Sequence, residues 1–222
     1  MDESTRRALI ALSHRFYERD AQTFDATRRR PWPGWHQVLE AWLQRGPLKR
    51  PMRVLDAGCG NGRFGHFLAA QSDLDIAYTG VDSSQGLVTA ARASAGFPSY
   101  FVVQEIESWL ESRGPGEPAF DLIVIFGVLH HIPGRDRRRR IMGTLAQLLA
   151  PGGLLAATWW MLHQSPRIEQ LRLPWHTAPE IEPSQLEMGD TLLSWQGQGV
   201  RYCHFPAQEE LESFLELPGL EH

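Results

Sequence analysis

The stretch Arg53-Val54-Leu55-Asp56-Ala57-Gly58-Cys59-Gly60-Asn61-Gly62-Arg63-Phe64-Gly65 decides how the rest of the chain is read. Val54 to Ala57 reads as a short strand. The glycines then space a G-x-G-x-G turn, and Phe64, Phe67 and Leu68 share one face of a following helix. Strand, glycine turn and helix together make a nucleotide cradle. Glycine lets the backbone approach a ligand, and the helix start offers unpaired N–H groups. A pyrophosphate fingerprint, G-x-G-x-x-G, would need its third glycine where Arg63 stands, whereas Gly62 comes one position early. Asp56, at the end of the strand, would repel phosphate. It suits a cationic ligand with an amino-acid tail.

Downstream, a second strand runs from Ile76 to Asp82. Asp82 lies twenty positions after Gly62, where nucleotide-binding α/β folds place a carboxylate for ribose hydroxyls. The same residue could instead cap the helix that starts near Ser84. Tyr100 to Val103 is a third strand. Glu105 behind it could accept from an adenine amino group or simply face the dipole of the next helix. Phe120 to Phe126 is a continuous apolar run, as in a strand buried on both faces. Gly127-Val128-Leu129-His130-His131 follows its end. A helix over Arg137 to Ala150 and a fifth strand over Leu154 to Trp160, joined by Pro151-Gly152-Gly153, complete the alternation.

Strands alternating with helices predict an α/β fold with a doubly wound, mostly parallel sheet, whose ligands bind at the carboxyl ends of the strands. Residues 1–50 read as an N-terminal helical cap. Its helices run from Thr5 to Arg19 and from Trp35 to Gln44, with Pro31-Trp32-Pro33-Gly34 between them. Residues 51–160 are the ligand-binding core. Over 161–219, Pro166, Pro174, Pro179 and Pro183 break any long element, which predicts a lid insertion after the fifth strand. A short strand from Arg201 to Phe205 and a helix from Ala207 to Leu217 end it. No residues remain for a closing C-terminal hairpin, and residues 220–222 read as the remnant of a histidine tag.

The 222 residues suffice for one domain with a sizeable core, and 42 % apolar with 22 % charged residues is ordinary for a globular protein. No apolar run is long enough to span a membrane, and the two cysteines make neither a disulfide framework nor a zinc site. A cytoplasmic location is expected. The net charge of −4 argues against nucleic-acid binding by bulk charge. Two local runs, Arg28-Arg29-Arg30 and Arg137 to Arg140, are either basic patches or solvated faces.

Several stretches together resemble class I S-adenosylmethionine (SAM) methyltransferases, in particular those that methylate the carboxylate of 5-carboxymethyluridine at the tRNA wobble position. They are Thr27-Arg28-x-x-Pro31-Trp32-Pro33, Asp56-x-Gly58-Cys59-Gly60-Asn61-Gly62, Gly80-x-Asp82-x-Ser84-x-Gly86-Leu87 and Val128-x-His130-His131. Arg137-Arg138, Leu149-x-Pro151-Gly152-Gly153, Trp160, and Arg201-Tyr202-x-His204 with Glu210-Leu211 complete the set. Cys203 stands where the family has a second tyrosine. The resemblance implies a Rossmann-like core that binds SAM and releases S-adenosylhomocysteine. Asp56, Gly58, Gly60, Asn61, Gly62, Asp82, Ser83, Glu105, Ile106 and Phe126 would hold the cofactor. It also implies tRNA as substrate and a small zinc-containing activator protein as partner, with no metal in this chain.

A carboxylate acceptor is ionised at pH 7, so its methylation needs positioning and dry surroundings rather than a general base. Arg28 and Arg201, outside the common fold, are the candidates to hold it by two-point contact. His130 and His131 could orient the acceptor or serve as base for a hydroxyl or amine, and only one of two adjacent histidines can face the site. Trp160 and Tyr202 could stack on a base, with His204 beside them. A small-molecule O- or N-methyltransferase, and a non-catalytic SAM- or partner-binding module, fit the core motifs equally.

Overall fold

A computed structural model describes residues 1–26, 30–45, 51–71, 74–114, 119–160, 165–195 and 199–220. Five strands form a parallel sheet: β1 (Met52–Ala57), β2 (Ile76–Asp82), β3 (Ser99–Val103), β4 (Phe120–Ile125) and β5 (Leu149–Ala157), in the order β3-β2-β1-β4-β5. The order reverses at β1, so the crevice between the ends of β1 and β4 is the switch point where such folds bind ligands.

Alternation along each strand feeds two cores. Val54, Tyr78, Leu122 and Val124 pack with Trp35, Leu39 and Trp42 of α2 (Gly34–Leu43), Phe64, Phe67 and Leu68 of α3 (Arg63–Ala69), and Val88 and Ala91 of α4 (Gln85–Ser94). Leu55, Val81, Ile123 and Ile125 face the other way. They meet α5 (Ile106–Glu111), α6 (Arg135–Gln147) and, through Phe214, the last helix (Gln208–Leu215). The sheet is thus doubly wound, as the sequence predicts.

The long first helix, α1 (Glu3–Ala26), is not packed on this sheet. Its Leu9 and Leu12 join Ile181, Leu192 and Tyr202 of the insertion. That insertion holds a one-turn helix, α7 (Pro166–Glu169), and a three-stranded antiparallel sheet of β6 (Arg172–Leu173), β7 (Asp190–Trp195) and β8 (Gly199–His204). β7 was not expected. A six-residue segment is too short to reveal its period, and its partner is what makes it a strand. The last helix, α8 (Gln208–Leu215), follows.

The fifth strand begins earlier than expected. Pro151-Gly152-Gly153 is absorbed as a bulge, because Phe120 pairs with Leu149 while Leu122 pairs with Leu154. Leu220, read as part of a tag, packs against the core beside Leu217 and Phe214. Glu221 and His222 lie outside the described residues.

Candidate active site

The cradle takes its shape from left-handed backbone at Gly58 (φ 88°), Gly60 (φ 53°) and Gly62 (φ 77°). Gly58 and Cys59 donate to the Val81 carbonyl at 2.7 and 3.0 Å, which ties the turn to β2. Asp82 completes the tie: Oδ2 accepts from Gly60 N at 2.8 Å and Oδ1 from Ser84 N at 2.9 Å. The capping role belongs to Ser84, whose Oγ accepts from Leu87 N. Burial pushes the Asp82 carboxyl up, against the lowering effect of the Ser84 and Gly60 N–H groups.

Beside the turn lies a cleft of about 1340 Å³, counting the part open to solvent. Asp56, Gly58, Gly60, Asn61, Asp82, Ser83, Glu105, Ile106 and Phe126 all border it. Gly62 does not border it. A Cβ there would meet Ala91 and the Phe101 ring at 3.2 and 3.4 Å, so its job is to start α3 in a confined space. At Gly60, by contrast, nothing lies closer than Leu87 at 4.0 Å, which leaves room for a ligand against the backbone.

Asp82→Ala is expected to weaken binding of SAM, the ligand the resemblance implies, by roughly 3–6 kcal/mol, at about 1.5–3 for each of two charge-assisted hydrogen bonds to the ribose. Because Asp82 also holds the turn, the melting temperature should fall with it. Unchanged affinity in calorimetry would remove Asp82 from the site.

Asp56 is buried at the end of β1 and accepts from Tyr78 Oη at 2.5 Å. Burial raises its pKa to about 7; the Tyr78 bond lowers it and Asp82 raises it further. A ligand ammonium group stabilises the carboxylate, so it binds best where Asp56 is already ionised. SAM affinity is therefore expected to rise about tenfold between pH 6 and 8. Asp56→Asn should flatten that profile, and an equally steep profile in the variant would assign the titration elsewhere.

The first helix closes the cleft. Ile10, Ser13, His14 and Tyr17 border it, and His14 pairs with Glu105. These residues form a second stripe on α1, offset from the core stripe Leu9, Leu12 and Phe16. The i, i+4, i+7 spacing of Ile10, His14 and Tyr17 was the signal that could have found them. At the glycine end Trp32, Trp35 and Arg63 line the wall, with the Arg63 guanidinium 5.2 Å from the Trp35 ring.

After β4 the chain turns through a single 3-10 turn, Leu129–His131, which separates the two histidines. His131 borders the cleft beside Tyr17, at 5.5 Å between ring centres. Its Nδ1 lies 2.9 Å from the Tyr202 carbonyl, which can only accept, so Nδ1 carries the proton. His130 points away, fully buried, and stacks on Trp160 at 4.1 Å and 22°. Trp160 packs on His130 and also borders the cleft.

Arg201 lies behind Trp160. Its guanidinium is 4.8 Å from that ring, 5.0 Å from Trp195 and 5.8 Å from Phe16. The residue is 3 % exposed, and Nε and Nη1 have no hydrogen-bond acceptor among the described residues. Tyr202 and His204 are elsewhere. They face a buried network with Asp190, Arg138, Glu187 and Glu210, so the structure does not place them against a substrate. Glu187, Asp190 and His204 are close enough to hold a cation, but Arg138 already inserts its charge there, against Glu187 and beside His204. Arg28 lies outside the described residues.

A family model described as a methyltransferase domain matches residues 55–155. That stretch runs from within β1 into β5 and holds the cradle and both histidines, so this part of the chain is similar to a class I methyltransferase domain, whose cofactor is S-adenosylmethionine. The cleft fits it, with the left-handed Gly58 and Gly60 on its wall, open space over Gly60 and carboxylates at the ends of β1 and β2.

The particular resemblance is to the tRNA wobble-uridine enzymes. The chain is 32 % identical over 153 residues to the tRNA (carboxymethyluridine(34)-5-O)-methyltransferase of Saccharomyces cerevisiae, covering 68 % of this chain and 48 % of that protein. A protein of Encephalitozoon cuniculi, provisionally named a methyltransferase, is 35 % identical over 147 residues, covering 66 % of this chain and 61 % of that one. The chain thus spans about half to three-fifths of the length of these relatives. Among solved structures, a DhpI complex with SAM and HEP superposes with a TM-score of 0.59 at 19 % identity, over 97 % of this chain and 89 % of that one. That likeness concerns the fold alone. No described helix is long and apolar enough to cross a membrane.

Proposed function

We propose that the chain transfers a methyl group from SAM to a carboxylate on a modified wobble uridine of tRNA. The observation that carries this reading is Arg201. Its guanidinium is held between aromatic rings with two nitrogens lacking acceptors among the described residues; it does not border the cleft itself, and in this proposal it meets the anion where Trp160 yields. Leaving buried donors unpaired is costly unless a ligand satisfies them. The similarity to the yeast enzyme supports the uridine carboxylate as that anion.

SAM supplies a methyl group activated on a sulfonium. The chain's own part is to hold and enclose. Asp56 faces the cationic tail, and Asp82 serves the ribose. Ile10 and Tyr17 of α1, with Trp160, exclude water around the acceptor. His131, oriented by the Tyr202 carbonyl, fixes the acceptor rather than removing a proton, since a carboxylate has none to lose at pH 7. Arg28 shares the anion with Arg201 in this proposal. A small zinc-containing activator and a cytoplasmic setting belong to it through the resemblance.

The test is tritiated methyl transfer to bulk tRNA, with alkali-labile release marking an ester. Arg201→Lys keeps the charge and loses the fork. It is expected to cut transfer roughly ten- to hundredfold, at about 1.5–3 kcal/mol, while SAM affinity stays within about twofold. Wild-type transfer by that variant would remove Arg201 from the site. A second reading, a small-molecule acceptor, is favoured by the roof that α1 puts over the cleft and by the apolar walls of Trp32, Trp35 and Phe126. Transfer to a small carboxylic acid or hydroxyl compound, with none to tRNA, would select it.

A further inference from the structure

We propose that His14 of the first helix is a positioning residue for the cofactor: it holds the Glu105 carboxylate in place to accept from the amino group of the adenine. The inference rests on the SAM reading of the cleft and adds how its roof takes part.

Glu105 and Ile106 follow β3 and border the cleft. Glu105 stands at the N-cap of α5, yet its side chain makes no capping bond there. Its partner is His14, whose Nε2 meets Oε1 across the cleft edge. A carboxylate can only accept, so Nε2 carries the proton. The contact uses one oxygen, and the carboxylate has a second for an amino N–H.

The pair is not what fixes the helix. Its side chains are 36 % and 38 % exposed, and an ion pair so exposed adds little stability. The apolar stripe of α1 does that work: Leu9 and Leu12 pack with Ile181, Leu192 and Tyr202, and Phe16 meets Trp195 in a T-shaped contact at 6.0 Å. A contact that neither caps α5 nor anchors α1 has its use toward the cleft, which both residues border. Two further observations point the same way. Ser13 Oγ, one residue before His14, is buried without a hydrogen-bond partner among the described residues, and Ser13 borders the cleft. A buried hydroxyl is costly until a ligand meets it, which marks this turn of α1 as ligand-facing. Burial raises the Asp82 carboxyl; Glu105 raises it further and His14 lowers it. The pair thus lies close to the ribose carboxylate, at the nucleoside end of the cleft.

The test is calorimetric titration of the full chain with S-adenosylhomocysteine and with its purine analogue, which lacks only the 6-amino group. Wild type is expected to bind the adenine ligand about tenfold or more tightly than the analogue, from one charge-assisted hydrogen bond. In His14→Leu the ratio should fall to about two- or threefold, because Glu105 loses its fixed direction, while the analogue binds within about twofold of wild type. His14→Gln offers an N–H donor at similar reach and should restore the ratio. Melting temperatures should stay within about 2 °C of wild type. A His14→Leu chain that weakens for both ligands alike, or for neither, would overturn the positioning role and leave the SAM reading intact. A wild-type ratio of one would take the adenine off Glu105 and overturn it as well. Wild type that binds neither ligand would overturn the SAM reading and this inference together.

Discussion

Gly58→Ala is expected to remove SAM binding almost entirely, with a much smaller effect from the same change at Gly60. Both glycines have left-handed backbone, at φ 88° and 53°, and a side chain there costs about 1–2 kcal/mol in either case. What separates them is the space around each. A Cβ on Gly58 would lie 2.2 Å from Val128 Cγ2, far inside contact distance, whereas one on Gly60 meets only Leu87 at 4.0 Å. Val128 belongs to the loop that carries the histidines, so relief of the clash must move either that loop or the turn. Overpacking adds about 1–3 kcal/mol, for a total of roughly 2–5 kcal/mol, or on the order of thirty- to several-thousandfold in affinity. Calorimetric titration of the two variants with SAM gives the ranking. Equal affinities for both would show that the Gly58–Val128 approach does not shape the site.

Arg138→Ala is expected to cost about 3–5 kcal/mol of stability, as when one partner of a buried ion pair is removed. For a chain of this size that is a fall of roughly 6–20 °C in melting temperature. Arg138 is fully buried and donates to Glu210 Oε1 at 2.7 Å, Glu187 Oε2 at 2.8 Å and the Ile132 carbonyl at 2.9 Å. Those acceptors tie α6 to α8, to the insertion and to the loop after the histidines. His204 lies among them, between Asp190 at 2.7 Å and Glu210 at 2.9 Å, so both its ring nitrogens face carboxylates. Burial works against the imidazolium, but the bonds to Asp190 and Glu210 prevail and raise its pKa. Glu210 is drawn the other way. Burial opposes its charge, but His204 and Arg138 hold it down to about 2.

The two shifts set a pH window with opposite edges. Glu210 has a depressed folded pKa, so its contribution is present above its ordinary value of 4.5 and is lost as pH falls toward 2. His204 has a raised one, so its contribution is complete below 6.5 and is lost as pH rises through its folded value. Thermal melts of wild type should therefore give a plateau between those limits. Because Glu210 and His204 share Arg138 as neighbour, Arg138→Ala with Glu210→Gln should cost less than the sum of the two single changes. Simple additivity would show that the network is not a unit.

The main sheet was legible because each of its signals is local. Asp56 to Gly62 needs its glycines for backbone angles that other residues avoid, and the apolar run of β4 needs only its own composition. That Asp56, Gly58, Gly60, Asn61, Asp82, Ser83, Glu105, Ile106 and Phe126 border one cleft follows from the same logic, since strand ends in a parallel sheet converge on one edge. Gly62 carried the same motif but faces Ala91 and Phe101, because a spacing does not say which side of a turn a residue shows.

What tertiary structure alone decided is where long-range partners meet. Arg138 stands in a run of four arginines that reads as a basic patch or a solvated face, yet it is the buried centre of a network whose acceptors lie 49 and 72 residues away. Tyr202 and His204 adjoin Arg201 in sequence but turn toward that network, because alternate residues of β8 point to opposite sides. The choice of His131 over His130 depends on one 3-10 turn and on a carbonyl 71 residues away. Likewise α1 shows a core stripe in its own sequence, but only the insertion it packs on turns its second stripe over the cleft. Local periodicity reports that a face will be buried; which element buries it is a property of the assembled chain.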